Sequence, residues 1–291
     1  DIVAPGTHVA GAASFANGYT GEGVCDKYQP AGQTNYAASS GTSHSTPAVA
    51  GGASLVYQYF INQGWTIPSP AMMKAYLMNS TRYLTGVDAN DTLPSNNQGM
   101  GLMNLGTAFD GTQRMLRDQL TNDIFTASGQ TRTFFANVVE TNKPLRITLG
   151  WTDAPGSLSG NAYKNNLDLT VLVGGQTYLG NSFAGAFTTP GGTADPRNNV
   201  ESVFLPAGQS GLITIKVTAA NINSDGVPGY GGALDQDFVL VAYNAEEYIP
   251  SNYPPVLEPI GNKAMATNRL MQFTVTASDP VDGDSVRLWA T

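Results

Sequence analysis

The sequence has few of the residues on which most catalytic and metal sites depend. Its 291 residues include one cysteine, Cys25, and two histidines, His8 and His44. A single cysteine excludes a disulfide framework within the chain and a metal site built on several thiolates. Two histidines are fewer than most zinc sites require, so we expect no catalytic metal.

Charge is also scarce, and its balance is acidic. Charged residues make up 12% of the chain, about half of the ~25% usual in soluble proteins. The 22 acidic and 14 basic residues give a net charge of −8. A nucleic-acid binder needs a cluster of lysines and arginines, which is missing, so we expect no nucleic-acid partner. No apolar run approaches the ~20 residues of a membrane span, so we expect none.

The hydrophobic pattern of the sequence changes at about residue 110. Over 1–110, helical patterns at 43–63 and 69–83 follow a short apolar strand at 1–6, which is typical of an α/β fold. From about 111, short β-branched and aromatic segments alternate with Gly, Asn, Asp and Pro loops, which favours an antiparallel sandwich or barrel. The predicted strands are 131–138, 145–151, 167–173, 200–205, 212–218 and 238–243.

One stretch, residues 40–51, carries a pattern suited to catalysis. A loop ending in Gly41 brings Ser43 to the N-terminus of an apolar helix. The unpaired N–H groups there would stabilise an oxyanion that develops beside the serine. The alternative interpretation is that Ser43 is only a helix N-cap, a position that serine favours.

The pattern Gly41-Thr42-Ser43, followed by Pro47 and by Val-Ala-Gly at 49–51, resembles the nucleophile signature of the subtilisin-like serine proteases, the subtilases. Residues 1–6 resemble the strand and turn that precede this signature, and 97–104 the closing segment of the catalytic domain. The resemblance covers about 1–110. It implies that Ser43 is the nucleophile and that Gly41, Thr42 and His44 lie beside the oxyanion and the substrate.

A serine nucleophile needs a base and a carboxylate that orients the base. In subtilases both lie well upstream of the serine, as does the oxyanion-hole asparagine. The resemblance therefore implies that they belong to an N-terminal part of the catalytic domain missing from this sequence. His8 falls in the stretch that matches the serine side of the family pattern, and His44 should point about 100° away from Ser43 on a helix, so we expect neither to be the base.

The second segment, 111–249, resembles the β-barrel or jelly-roll domain of large alkaline subtilases. The stretches that carry this likeness are 151–155, 166–169 and 197–201. Because that domain binds calcium in some members, the resemblance implies a structural calcium site, and calcium prefers oxygen ligands. The candidate ligands are Asp153, Asp168 and Asp195, with Asn166 and Glu201 nearby in the sequence. The alternative is turn chemistry, in which these side chains accept hydrogen bonds from local backbone N–H groups.

The last segment, 250–291, opens with Pro254-Pro255 and resembles the start of an Ig-like or cadherin-like repeat. Its roughly 40 residues are too few for a complete sandwich of about 100 residues, so we expect it to be truncated.

The resemblance as a whole implies a secreted serine endopeptidase that cleaves protein or peptide substrates through an acyl-enzyme on Ser43. Without the base and the acid, the chain as given should be inactive. A competing hypothesis is a non-catalytic extracellular binding or adhesion protein that retains a degenerate protease half. A third, a carbohydrate-binding sandwich, needs an exposed aromatic platform, and Trp151 lies within an apolar strand.

Overall fold

The chain divides into two compact units, Asp1–Glu247 and Tyr248–Thr291. The computed structural model describes residues 1–249, 256–257, 263–264, 267, 270 and 272–278. Within the second unit, Val256–Leu257 pairs with Ala277–Ser278 in antiparallel fashion. Most of the predicted Ig-like or cadherin-like repeat at 250–291 lies outside the described residues. The predicted boundary at 110 stays a prediction, since 1–110 and 111–247 pack within one unit.

The first part of the chain is helical, as the periodicity predicts. Strand β1 (Val9–Ala12) pairs with β2 (Tyr36–Ser39), and α1 (Thr42–Asn62), α2 (Pro70–Asn79) and α3 (Leu105–Ala108) follow. The apolar stretch 1–6 contributes only a single parallel bridge between Val3 and Leu102. Helix α2 ends before the predicted residue 83 because the Ser80 and Thr81 hydroxyls donate to carbonyls of the last turn.

The remainder of the first unit is antiparallel β structure, which confirms a β-rich fold. Its strands are β3 (Arg114–Asp118), β4 (Thr131–Val138), β5 (Leu145–Gly150), β6 (Asn166–Val173), β7 (Gln176–Ala184), β8 (Phe187–Pro190), β9 (Val200–Leu205), β10 (Leu212–Asn221), β11 (Val239–Tyr243) and β12 (Ala245–Glu247). One sheet has the order β12-β4-β10-β6-β7-β8, and the other has the order β3-β11-β5-β9.

The two sheets differ in how many of their faces are buried. In β10 buried residues alternate with exposed ones, whereas every residue of β9 and β11 is buried. One face of both sheets contributes to a shared apolar cluster that includes Ile147 and Ile215. The other face of the four-stranded sheet packs against α2, which itself packs against α1. The four-stranded sheet is therefore an interior layer, which explains its continuous apolar runs.

Polar side chains fasten the end of α2 to this sheet. The Arg146 guanidinium on β5 donates from Nη1 to the carbonyl oxygens of Asn79 (2.8 Å) and Thr81 (2.6 Å) and lies 4.1 Å from the ring centroid of Phe204. The Asn79 amide in turn donates to the Arg146 and Val241 carbonyls and to Thr148 Oγ1. Burial lowers the pKa of Arg146 to about 10. A cation at a helix C-terminus also interacts favourably with the negative end of the helix dipole.

Among the residues that the structure describes, no helix combines the length and the apolar character needed to cross a membrane.

Arg146→Lys should lower the free energy of unfolding by about 2–3 kcal/mol, because an ammonium group cannot both bridge the two carbonyls and stack on Phe204. Urea unfolding followed by circular dichroism measures this loss. Arg82→Lys is the matched control, since Arg82 is exposed, and it should change stability by less than ~0.5 kcal/mol. Equal effects of the two substitutions would contradict the role given to Arg146.

Candidate active site around Ser43

Ser43 is the second residue of the 21-residue helix α1. The N-cap of this helix is Gly41, with φ +151°, and no side chain caps the helix. The interpretation of Ser43 as an N-cap is therefore wrong. The Ser43 side chain is exposed, and its hydroxyl has no hydrogen-bond partner among the described residues. A free hydroxyl at the positive end of a long helix suits a nucleophile.

The backbone around Gly6 and Gly41 sets the position of the helix start. The Gly41 N–H donates to the Gly6 carbonyl at 2.8 Å, and the His44 N–H donates to the Gly41 carbonyl at 3.0 Å. A Cβ atom on Gly6 would collide with Ser45 Oγ and approach the Gly41 carbonyl oxygen to 3.0 Å. Glycine at position 6 thus lets the 1–6 segment lie directly against the first turn of α1.

Neither histidine contacts Ser43. His8 Nε2 lies 3.5 Å from Asp26 Oδ2, and its side chain is 61% exposed. Its φ of +49° lies in the left-handed region, and its N–H donates to Ser40 Oγ at 2.8 Å. His44 is half-buried in the first turn of α1, and its imidazole has no partner among the described residues. The structure therefore brings Gly41, Thr42, Ser43 and His44 together and places no base against the Ser43 hydroxyl.

Ser40 joins the strand before Gly41 to the neighbouring loop. Besides the His8 N–H, its hydroxyl accepts a hydrogen bond from the Cys25 thiol, with Sγ and Oγ 3.0 Å apart. Cys25 is exposed and free. These contacts hold β2 and the 6–8 turn together just ahead of the nucleophile loop.

The Asp153 carboxylate is held by backbone N–H groups. Its Oδ1 accepts hydrogen bonds from the Ala154 and Asn165 N–H groups, and its Oδ2 accepts one from the Lys164 N–H. Both oxygens are thus occupied by backbone donors at 2.7–2.8 Å. For this residue the structure favours the turn-chemistry alternative, in which the carboxylate holds two loop segments together.

Asp168 and Asp195 lie near a third carboxylate, that of Glu201. The pKa of Glu201 is raised to about 9, mainly by burial and in smaller part by the charges of Asp168 and Asp195. Glu201 is fully buried, its Oε2 accepts from the Leu169 N–H at 2.6 Å, and its Oε1 is buried without a partner. An unpartnered buried carboxylate oxygen is costly unless a proton or a cation satisfies it.

The two aspartates differ in how far their own oxygens are satisfied. Burial raises the pKa of Asp168, which accepts one side-chain hydrogen bond, from Asn166. Burial also raises the pKa of Asp195, but hydrogen bonds from Asn198 and Asn181 outweigh it and lower the pKa overall. Among the described residues, no three His, Cys, Asp or Glu side chains are positioned as a group able to hold a metal ion.

Sequence reasoning placed Glu201 near the ligand candidates but did not single it out. The signal was available, since Glu201 is the one charged residue in the buried run Val200–Leu205. An acid in such a run has to be paired, protonated or bound to a cation.

Gly6→Ala should lower the free energy of unfolding by about 1–3 kcal/mol, because the added methyl group forces Ser45 and the Gly41 carbonyl to move. Chemical denaturation measures the change. Gly11→Ala is the control: a Cβ there meets nothing within 4 Å, so the effect should stay within ~0.5 kcal/mol. A Gly6→Ala protein as stable as Gly11→Ala would show that the turn is not packed in this way.

Comparison with known proteins agrees with the Ser43 motif. A search of curated proteins found no significant match. Residues 1–101 match the family model described as the Subtilase family, Peptidase_S8, and this range contains the Gly6 turn, the Gly41 cap and Ser43. The match covers 101 of the 291 residues. Over residues 1–101 the family match therefore supports the resemblance to the subtilisin-like serine proteases.

Proposed function

We propose that the protein is part of a secreted serine endopeptidase in which Ser43 is the nucleophile. The observation that carries the proposal is the exposed, unpartnered Ser43 hydroxyl at the start of α1, within a segment that matches the subtilase family. Secretion is supported by the family resemblance alone. The substrate class is protein or peptide, as expected for a peptidase family.

In the proposed reaction, Ser43 Oγ attacks the scissile carbonyl carbon while its proton passes to a base. The N–H of Ser43 and the positive end of α1 stabilise the oxyanion. The amine leaves with a proton from the same base, and water then hydrolyses the acyl-enzyme. His8 is paired with Asp26, and the His44 imidazole has no hydrogen-bond partner among the described residues, so we propose that the base and its carboxylate come from polypeptide outside this sequence.

The β-rich part would support this site. We propose that its two sheets form a jelly-roll-like sandwich around their shared apolar cluster, which stabilises the catalytic segment through α2. The carbohydrate-binding alternative finds no support at Trp151, which is 3% exposed and cannot serve as a platform.

Ser43→Ala should abolish peptidase activity in a version of the protein extended by its upstream coding sequence, with a loss of at least ~10³-fold in kcat on fluorogenic casein. The chain as given should not cleave casein above the buffer rate. Ser54→Ala is the control, because Ser54 is another exposed serine of α1, whose hydroxyl donates to the Ala50 carbonyl.

Two outcomes would contradict this proposal. An extended protein without activity, or activity that survives Ser43→Ala, would favour the non-catalytic binding or adhesion protein. Ser43-dependent cleavage by the chain as given would instead show that the base lies within these 291 residues.

We further propose a structural calcium ion held by Glu201 and Asp168, with Asp195 nearby. Its support is the buried, unpartnered Oε1 of Glu201 next to two more carboxylates, since a divalent cation would neutralise charges that burial disfavours. Asp153 and Asp195 are not included as ligands, because both oxygens of each already accept hydrogen bonds.

Calcium should raise the melting temperature of the protein at pH 8, and Glu201→Gln should remove that increase. In the chelator EGTA, the wild-type free energy of unfolding should fall as pH rises from about 4.5 to about 9. The reason is that folding raises the Glu201 pKa above its usual 4.5, so the folded protein binds this proton more tightly than the unfolded chain. Glu201→Gln should flatten this slope and melt higher than wild type in EGTA at pH 8.

Thermal unfolding followed by circular dichroism measures both effects. Asp88→Asn removes a negative charge from an exposed turn and should keep the wild-type response to calcium and to pH. A melting temperature that calcium does not shift would rule out the site. A pH slope unchanged in Glu201→Gln would show that another group titrates.

A further inference from the structure

Strand β3 is the edge of the four-stranded sheet, and one side of its backbone is open. It pairs only with β11, with Val239 opposite Asp118 and Tyr243 opposite Arg114. Two hydrogen bonds at its ends, from the Gln119 N–H to the Phe238 carbonyl and from the Asn244 N–H to the Gln113 carbonyl, fix which residues bond inward. In an antiparallel ladder the bonding side alternates along the strand. The N–H and C=O groups of Arg114, Leu116 and Asp118 therefore point outward.

These outward groups have no hydrogen-bond partner in the part of the chain that the structure describes. They border a cleft of about 540 Å³ between β3, β12 and the segment that follows α1. The side chains of Phe60, Trp65, Met72 and Leu116 give the cleft an apolar wall. This volume lies within the range of ligand clefts, about 300–1,000 Å³.

The charge at the cleft is acidic and incompletely compensated. One oxygen of Asp118 accepts from the Ser69 N–H at 2.9 Å, while the other is buried without a partner. Glu247 pairs with Arg117 at 2.8 Å, whereas the Glu246 carboxylate has no partner among the described residues. Both glutamates line the cleft.

Arg114, the one cation among the described residues that line the cleft, does not offset these acids. The Arg114 guanidinium donates to the Thr107 and Thr112 carbonyls and lies 3.4 Å from Asp110. It is also held between the rings of Tyr76 and Tyr243. A ligand in the cleft therefore meets an acidic wall rather than a free positive charge.

We propose that this cleft binds an extended polypeptide segment, which adds to β3 as a further strand and places a basic side chain against Asp118. The open backbone groups supply the hydrogen bonds of strand addition, and the side chains on alternate positions supply the specificity. An apolar residue of the bound segment would lie opposite Leu116, two positions from the basic one. The proposal does not rest on Ser43 or on peptidase activity.

The probe is the peptide Gly-Gly-Lys-Thr-Val-Thr-Thr-amide with fluorescein on its N-terminal amine, whose Lys and Val fall on the same face of a strand. Fluorescence anisotropy should show saturable binding to the full chain, weakened by salt. Replacing the Lys of the probe by Glu should weaken binding at least tenfold. N-methylation of the Val should abolish it, because the methyl group removes a backbone donor.

Two variants of the protein test the two halves of the proposal. Asp118→Asn should weaken binding of the Lys peptide at least fivefold, while Asp88→Asn, a loss of the same charge outside the cleft, should not. Leu116→Pro removes an outward N–H and leaves the bonds to β11 in place, so it should abolish binding in a folded protein. If circular dichroism shows that the Leu116→Pro protein is unfolded, the N-methylated peptide alone tests the backbone hydrogen bonds.

The absence of saturable binding up to about 1 mM peptide would overturn the proposal. Equal affinity for the Lys and Glu peptides would overturn the assignment to Asp118. Undiminished binding of the N-methylated peptide would overturn strand addition. Because no bond is cleaved in these measurements, their outcome is independent of the peptidase assay.

Discussion

The packing of α2 across the four-stranded sheet is the contact on which most of the first unit depends. A ten-residue helix is too short to be stable alone in water, and seven residues of α2 are buried. Gly150 lies at this contact, where an added Cβ would be in van der Waals contact with Ala75 Cβ at 3.5 Å. Arg146 and Asn79 then satisfy polar groups that this contact buries, so the helical part and the β part share one interior.

The Ser43 site differs from the α2 contact, because backbone groups rather than side chains position it. Gly6 and Gly41 let the 1–6 segment pack against the start of α1. In this arrangement the Ser43 hydroxyl has no hydrogen-bond partner among the described residues. Most serines at helix starts are held by local hydrogen bonds, so a free one is notable. Among the described residues neither histidine is hydrogen-bonded to the Ser43 hydroxyl, since His8 pairs with Asp26 and the His44 imidazole has no partner.

Periodicity predicted α1 and the strands β4 and β9 to within a residue, because their apolar residues face a buried layer. It missed β3, whose five residues include three charged ones and show no period-two alternation, and β7 and β8, which are rich in Gly, Thr and Ser. The Ser43 motif predicted the family match. The metal candidates could not be sorted from sequence, because only tertiary contacts show that backbone N–H groups already occupy Asp153 and that Glu201 is unpartnered.

The interior position of the four-stranded sheet also bears on modularity. Removing residues 1–110 would uncover Val239 and Val241, which are fully buried against α2. The face of β11 that α2 covers would then be apolar and exposed to solvent. Such a face invites self-association. The β-rich part is therefore not portable by itself, and a graft of it onto another protein has to include a helix that covers this sheet.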